Sequence, residues 1–321
     1  MQTVKFSRVD KEQFFATLRK RVNQYFVDNK LDKTGNFYTY LKAAIMFTLY
    51  LTRMILMFTG VTTGWYALIS YFIMGIGTAG IGLCVMHDAN HGSFSKHKGI
   101  NKFMSYSMNF IGGSSFTWKV QHNLLHHSFT NIYHLDEDID DKPFLRLSPY
   151  GKKKWYHKFQ HIYALFLYGL ATASWISFKD WKQLKHYHKE GIMKENGYDV
   201  TKESIIMAIT KVSYFSIIMV LPMIFVAPWY VILLGFLILH VVAGFSITII
   251  FQLAHVVEGP QLPGLVAHHG HRLAGDLGGH IRPRLTQLLD MAHPLPAATD
   301  DRCLVDLNPG GVGIGLGPQR Q

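Results

Sequence analysis

The stretch VSYFSIIMVLPMIFVAPWYVILLGFLILHVVAGFSITIIFQLA, residues 212–254, decides the fold of this chain. Its 43 residues include no Asp, Glu, Lys or Arg. Because one helical crossing of a bilayer takes about 20 apolar residues, the stretch is long enough for two crossings. The PWY sequence at 228–230, near its middle, is typical of a turn at a membrane surface. The stretch therefore predicts two membrane-spanning helices, at 206–226 and 231–253.

A second uncharged run covers residues 54–86 and predicts another pair of spans. Gly60 and Gly64 bracket a turn within its 33 residues, so these spans fall at 42–60 and 65–85. A single apolar run is compatible with a core helix of a soluble protein. Two paired runs of this length are typical of a polytopic membrane protein. The predicted fold class is therefore all-α, with four transmembrane helices.

Three features bear on this number of spans. Arg53 lies inside the first predicted span, where an arginine costs about 2.5–3.5 kcal/mol on insertion scales, so we expect a shorter span or contact with protein. Lys211 is expected near a helix end, from which its side chain can extend to the interface. Segment 162–178 is uncharged but only 17 residues long and rich in Tyr and Trp. It predicts an interfacial helix and not a fifth span.

The distribution of charge predicts the orientation in the membrane. The formal net charge is +11, yet only 17% of the residues are charged. Lys and Arg number nine in residues 1–42 and sixteen in 87–204, and none occurs in the short connections at 61–64 and 227–230. By the positive-inside rule, we expect the N-terminal segment, the long loop and the chain after the fourth span on the cytoplasmic side. The basic charge then marks a membrane surface and not a nucleic-acid site.

Two histidine clusters follow the second predicted span. The first is HDANH at 87–91, and the second is HNLLHH at 122–127. Because residues i and i+4 share a helix face, each cluster can direct two imidazoles at one metal, while the last histidine points about 100° away and could serve a second ion. The candidate metal ligands are His87, His91, His122, His126 and His127.

The composition of these clusters narrows the chemistry. The two cysteines of the chain, Cys84 and Cys303, lie outside both clusters, which excludes a thiolate zinc site, an iron–sulfur cluster and a disulfide framework. Five imidazoles exceed the ligands that one zinc ion needs, so a pair of ions is predicted. Imidazole binds iron, copper and zinc alike. The location of the clusters adds a constraint, because a redox metal at the membrane surface, beside spans that could admit an acyl chain, suits the oxidation of a lipid methylene. Such a C–H bond has no acidic proton, so its oxidation requires an oxygen-activating metal.

The residues around both clusters resemble a known family. HDANHGSF at 87–94 and WKVQHNLLHHSFTNI at 118–132 are similar to the first two histidine boxes of the membrane fatty acid desaturases. The likeness is to the acyl-lipid and acyl-CoA branch that includes front-end desaturases. The acidic DED at 136–138 and FQLAHVVEGP at 251–260 fit this branch as well. The resemblance implies four spans with a cytoplasmic, histidine-rich helical cap.

The resemblance also implies an activity. A member of this family inserts a double bond into the acyl chain of a fatty acid, acyl-CoA or membrane lipid, using two non-haem iron ions, dioxygen and two external electrons. The five clustered histidines would be iron ligands, together with His255 after the fourth span. Asp88 and Asn90 would hold the imidazoles in orientation. Trp118 and Gln121 are candidates for lining the acyl channel. Because the sequence has no cysteine cluster and no HPGG haem-domain signature, we expect a separate electron donor, a ferredoxin or a small cytochrome.

Residues 261–321 differ in composition from the rest of the chain. They contain no Lys, Phe, Tyr or Trp, but ten of the 28 Gly and six of the 11 Pro. The third box of the family, Gln or His, two intervening residues and His-His, is missing, since Leu265 stands before His268 and His269 in the required position. We predict a frameshifted or chimeric segment from near Gln261, disordered and leaving the metal site impaired. The alternative is a genuine, divergent tail. The predicted domains are a cytoplasmic segment at 1–40, a membrane domain at 41–260 and this tail.

Other functions compete with desaturation. A lipid hydroxylase or ketolase would use the same boxes. An intramembrane zinc metalloprotease would use HDANH as an approximation of H-E-x-x-H, but Asp88 is shorter than Glu, and such an enzyme has no use for HNLLHH. A metal transporter would need polar residues within its spans, and these offer only Arg53, Lys211 and His240 as ionisable groups.

Overall fold

The computed structural model describes residues 13–130, 132, 134–140, 142, 144–148 and 151–255. Within these ranges every regular element is a helix, which confirms the predicted all-α class. The side chain of His255 and the whole segment predicted as an aberrant tail, 261–321, lie outside the described residues.

The helices are, in chain order, α1 (Phe14–Asp28), α2 (Phe37–Phe58), α3 (Gly64–Asn90), α4 (Lys98–Ser105), α5 (Ser107–Phe110), α6 (115–129), α7 (Trp155–Lys189), α8 (Ile192–Glu195), α9 (Val200–Phe225) and α10 (Trp229–His255). Capping side chains mark the starts of two of the long helices. Asn36 accepts a hydrogen bond from the backbone of Thr39 ahead of α2, and Asp199 accepts one from the backbone of Lys202 ahead of α9. Four of the described helices contain π-helical turns: α3 at Ile81–Met86, α6 at Lys119–His126, α7 at Trp175–Lys179 and α9 at Ser216–Val220.

Five of the described helices, α2, α3, α7, α9 and α10, are long and apolar enough to cross a membrane. Four of them match the predicted spans, and their outward side chains include the exposed Val212, Phe225 and Leu253. Extended apolar surface of this kind fits a lipid environment. The fifth, α7, differs from the prediction for 162–178, because the helix continues beyond the uncharged segment on both sides and reaches 35 residues.

The contacts between α3 and α10 show that these two spans run parallel. Gly75 lies against Leu239, and seven residues later Gly82 lies against Ile247. A Cβ at Gly75 would meet the Leu239 carbonyl oxygen at 2.7 Å, so only glycine allows this approach. Small residues bring membrane helices close enough for dense packing, which replaces the hydrophobic effect as a driving force in lipid.

The neighbouring spans run in the opposite direction. Gly77 of α3 lies against Tyr50 of α2, and Gly80 lies against Met46. The turn after α2 meets the turn after α9, where Gly64 N donates to the carbonyl of Val226 at 3.2 Å. The starts of α2 and α9 and the ends of α3 and α10 therefore lie together at the other end of the bundle, which we call the histidine end.

Helix α7 packs along α10 in the antiparallel direction. Gly169 lies against Gly244, and Thr172 Oγ1 donates to the His240 carbonyl at 2.9 Å. The buried His240 ring joins three helices, since its Nδ1 lies 3.1 Å from Thr172 Oγ1 and its Nε2 lies 3.1 Å from Tyr214 Oη. These contacts give both ring nitrogens of His240 a polar partner inside the bundle.

The structure corrects the prediction for Lys211. Because α9 begins at Val200, Lys211 lies well inside the helix and is buried. Its Nζ donates to Asp180 Oδ2 at 2.5 Å and to the Gly112 carbonyl at 2.7 Å. Arg53 is half-buried and close to the last residue of α2, so its side chain can extend to the interface.

Candidate metal centre

Both histidine clusters lie at the histidine end of the bundle. HDANH forms the end of α3, and the second cluster lies in the π-helical part of α6 up to His126, with His127 directly after it. The centroids of the His87 and His91 rings are 4.6 Å apart, and the His122 ring lies 5.4 and 5.1 Å from them. The structure thus brings together two clusters that are separated by 30 residues of chain.

His127 lies in the same cluster, which differs from its predicted orientation. Its ring is 4.8 Å from that of His122 and 4.9 Å from that of His91. The prediction assumed an α-helix, in which position i+5 points away from position i. In the π-helix the turn closes at i+5, so His127 returns to the side of His122. The ring of His126 remains stacked on that of His122, at 5.2 Å and 13°.

The nitrogen and oxygen atoms form two groups with the spacing of a metal site. Ring nitrogens of His87, His91 and His122 lie within 4.8 Å of one another. A second group consists of His126, Asp136 and Asp138, which are all buried. His127 lies beside both groups and is exposed.

The two carboxylates were not among the predicted site residues. Asp136 Oδ2 accepts from His126 Nδ1 at 2.9 Å. Asp138 Oδ2 lies 3.3 Å from His126 Nδ1 and 3.8 Å from His122 Nδ1. A carboxylate at one ring nitrogen orients the ring and directs its other nitrogen at a metal. The acidic DED at 136–138 was the available signal, but its distance from the histidines along the chain hid its role.

Gln121 lies behind Asp138. Its Nε2 donates to Asp138 Oδ1 at 2.5 Å, and its Oε1 accepts from Lys179 Nζ and from Gln183 Nε2, each at 2.7 Å. Two donors on the amide oxygen fix the orientation of the amide, so its NH₂ group must face Asp138. The side chain of Gln121 thus supports the site.

The electrostatic environment keeps two of the clustered imidazoles neutral. Burial and then the neighbouring histidines lower the pKa of His91 to about 2. Burial also lowers the pKa of His122 to about 4, although Asp138 opposes this shift. Neutral imidazole is the form that binds a metal. Trp118 stacks on His122 with the ring centroids 4.5 Å apart and shields one side of that ring.

In the second group, the carboxylates reverse the effect of burial on the histidine. Burial lowers the pKa of His126, but the hydrogen bond and charge of Asp136 and the charge of Asp138 outweigh it and raise the pKa above its usual value. Burial raises the pKa of Asp138, and interactions with His122, His126 and Gln121 reverse this effect and lower it to about 2. Asp138 is therefore a carboxylate at neutral pH.

Three further residues were predicted to belong to the site: Asp88, Asn90 and His255. Asp88 Oδ1 lies 3.1 Å from His87 Nδ1. Asn90 links the two clusters, since its Oδ1 accepts from Ser115 Oγ at 3.2 Å and its carbonyl accepts from Asn123 Nδ2 at 2.9 Å. The backbone of His255 ends α10 at the histidine end, but its side chain lies outside the described residues.

The donor set fits a metal that binds imidazole. Ring nitrogens of His87, His91 and His122 lie within 4.8 Å of one another, the His126 and His127 rings lie next to that of His122, and two carboxylates stand behind His126 and His122. The absence of cysteine from this cluster, seen in the sequence, favours iron, copper or zinc bound by nitrogen and oxygen.

Comparisons with known proteins agree with this geometry. The chain is 29% identical to an sn-1 linoleoyl-lipid 6-desaturase from Arthrospira platensis, over 76% of this chain and 66% of the relative. It is 30% identical to an acyl-lipid (8-3)-desaturase from Physcomitrium patens, over 81% of this chain and 55% of the relative. It is 28% identical to Delta(5) fatty acid desaturase A from Dictyostelium discoideum, over 78% and 54%. The chain thus spans between half and two thirds of the length of these curated relatives.

No solved structure matches the chain. The family model described as fatty acid desaturase matches residues 63–287, which is more than two thirds of the sequence. This match includes both histidine clusters and three of the four predicted spans. The chain therefore belongs to the fatty acid desaturase family.

Proposed function

We propose that this chain catalyses the oxygen-dependent desaturation of an acyl chain, carried by a fatty acid, an acyl-CoA or a membrane lipid. The observation that carries the proposal is the convergence of five box histidines at one end of an apolar helix bundle. Membership of the desaturase family supports it, as do the acyl-lipid desaturases among the similar proteins.

Two non-haem iron ions would be held by the clustered histidines. The proposed ligands are His87, His91, His122, His126, His127 and His255. Bound iron would supply the activation of dioxygen that cleavage of an unactivated C–H bond requires. The protein's own contribution is to present neutral imidazoles, which the burial of His91 and His122 favours, and to orient the His126 ring through Asp136.

The orientation that we propose places the histidine end in the cytoplasm. The two segments rich in Lys and Arg, 1–42 and 87–204, connect in the chain to the helix ends at this end, and the uncharged turns lie at the opposite end. We further propose that α7 enters the bundle and returns. Thr172 of α7 contacts the middle of α10, at the same depth as Tyr214 of α9. Asp180, further along α7, contacts Lys211 of α9, which lies nearer to the histidine end than Tyr214 does. Four crossings would then bring the end of α10 back to the cytoplasm.

Electron supply and the tail complete the proposal. A separate donor, a ferredoxin or a small cytochrome, would deliver two electrons per double bond. We propose that the segment from near Gln261 is frameshifted or chimeric and leaves the centre short of ligands, because the third-box pattern is missing there. The chain as written would then hold iron weakly and turn over slowly.

Lipid profiling tests this function. The chain would be expressed in a host of known lipid composition, next to a version in which the segment after residue 260 is replaced by the corresponding segment of the Arthrospira platensis relative. We expect a new unsaturated fatty acid with the replaced version and little or none with the original. The His91→Ala variant of the replaced version is the control for the metal centre. A product that retains oxygen would contradict desaturation in favour of a hydroxylase, and equal activity of both versions would contradict the proposal for the tail.

A further inference from the structure

A buried ion pair lies between α7 and α9. Asp180 and Lys211 have side-chain exposures of 0% and 7%. Asp180 Oδ2 accepts from Lys211 Nζ at 2.5 Å, and Asp180 Oδ1 accepts from Thr117 Oγ1 and Trp175 Nε1, each at 2.8 Å. Lys211 also donates to the carbonyl of Gly112 at 2.7 Å. Among the described residues, each hydrogen bond to this carboxylate comes from a donor.

A gain in folding stability alone is a weak explanation for the presence of this buried ion pair. Removing two charges from water costs several kcal/mol per ion, and apolar residues of similar size often replace such a pair without loss of stability. A buried pair of this kind is better explained by the particular chain segments that it holds together. Here it joins α7 and α9 to residues 112 and 117, which flank the start of α6.

The start of α6 determines where the second histidine cluster lies. The helix continues without interruption from Thr117 through His122 and His126, so a shift or rotation of its first turn displaces both rings. Its π-helical part is an uncommon conformation that depends on the surrounding structure. Lys179, the residue before Asp180 on α7, makes a second contact to the same helix through Gln121.

We propose that the Asp180–Lys211 pair positions the second histidine cluster, by anchoring the first turn of α6 to α7 and α9. The inference rests on the proposed function in one respect, since the anchored histidines are the proposed metal ligands. Asp180 and Lys211 are positioning residues, and neither contacts the clustered imidazoles. Because only donors face Asp180, we expect that neither an amide, as in Asp180→Asn, nor a reversed pair can replace the carboxylate.

Hydrogen–deuterium exchange of the full chain in nanodiscs tests the anchoring without any metal. Thr117→Val removes one hydroxyl and keeps the ion pair, so the variant should fold. We expect exchange in peptides covering 112–127 to become about tenfold faster, with the rest of the chain unchanged. The matched control is Thr172→Val, which removes a buried hydroxyl that contacts the carbonyl and the Nδ1 of His240 between α7 and α10, and which should leave 112–127 at the wild-type rate. Wild-type exchange of 112–127 in Thr117→Val, or an equal increase in the control, would overturn the proposal.

A second pair of variants separates positioning from stability. The double variant Asp180→Leu with Lys211→Met removes both charges and should retain a melting temperature near that of the wild type. We expect the double variant to exchange faster than the wild type in 112–127, as Thr117→Val does. We also expect it to bind Co²⁺, used as the probe metal, about tenfold more weakly than the wild type. Recovery of both wild-type exchange and wild-type Co²⁺ affinity would overturn the proposal. If the wild type itself binds no Co²⁺, the proposal of a metal site is contradicted. The exchange data alone then test whether the ion pair anchors α6.

Discussion

His126 and Asp136 form a buried imidazole–carboxylate pair, with His126 Nδ1 2.9 Å from Asp136 Oδ2. A carboxylate at Nδ1 holds the ring proton there and makes Nε2 the nitrogen that can bind a metal. The pair thus links an acidic segment that sequence reasoning did not include in the site to a histidine that it did include.

Replacing Asp136 by Asn should weaken metal binding. The amide keeps the shape but removes the charge, so it lowers the pKa of His126 and holds the ring less firmly. We expect the affinity for Fe²⁺ to fall about 10- to 100-fold, measured by anaerobic titration in detergent. Asp140→Asn is the control, because Asp140 lies 3.7 Å from the exposed His134, away from the cluster. Equal losses in both variants would contradict the role of Asp136.

Replacing His91 by Ala should remove metal from the centre. The His91 ring contacts those of three other histidines in the cluster, so its loss opens the middle of the site. In the version with the replaced tail, we expect bound iron per chain to fall by more than about tenfold, measured by mass spectrometry of the metal. His97→Ala provides the comparison, since His97 is an exposed histidine only six residues further along. A similar iron content in the two variants would exclude His91 as a ligand.

Removing the metal should lower thermal stability. A ligand that binds only the folded state at 100 times its dissociation constant stabilises it by about 2.7 kcal/mol. We expect a chelator to lower the melting temperature, and Fe²⁺ or Zn²⁺ to restore it. Only Fe²⁺ should restore activity in the version with the replaced tail, because zinc does not activate dioxygen. Activity with zinc alone would contradict the oxygen-activating role.

Replacing Gly244 by Ala should destabilise the bundle. The added Cβ would lie 2.6 Å from the carbonyl oxygen of Tyr168, and backbone atoms cannot move aside easily. We expect a loss of about 1–3 kcal/mol, measured as a lower melting temperature in detergent. Gly99→Ala is the matched control, because nothing lies within 4 Å of a Cβ there and α4 favours alanine over glycine. A loss of the same size at Gly99 would contradict the packing argument.

The predicted spans show how much of the fold the local sequence pattern predicts. The helices at Val200–Phe225 and Trp229–Ala254 lie within six residues of the predicted boundaries, because the length of an apolar run sets a membrane crossing. The interfacial helix predicted at 162–178 is part of a helix of 35 residues, because the uncharged segment is shorter than the helix that contains it. Lys211 was placed near a helix end, and no local signal indicated that Asp180 would meet it inside the bundle.

The sequence by itself determined the membrane helices and both histidine clusters, because run length and i, i+4 spacing are properties of neighbouring residues. The tertiary structure alone decided that His127 turns back to His122, since that contact depends on a π-helix that spacing does not indicate. It also decided which carboxylates stand behind the imidazoles and which ion pair anchors α6. These contacts join residues between 10 and 99 positions apart, and only the folding of separate helices and turns against one another brings them together.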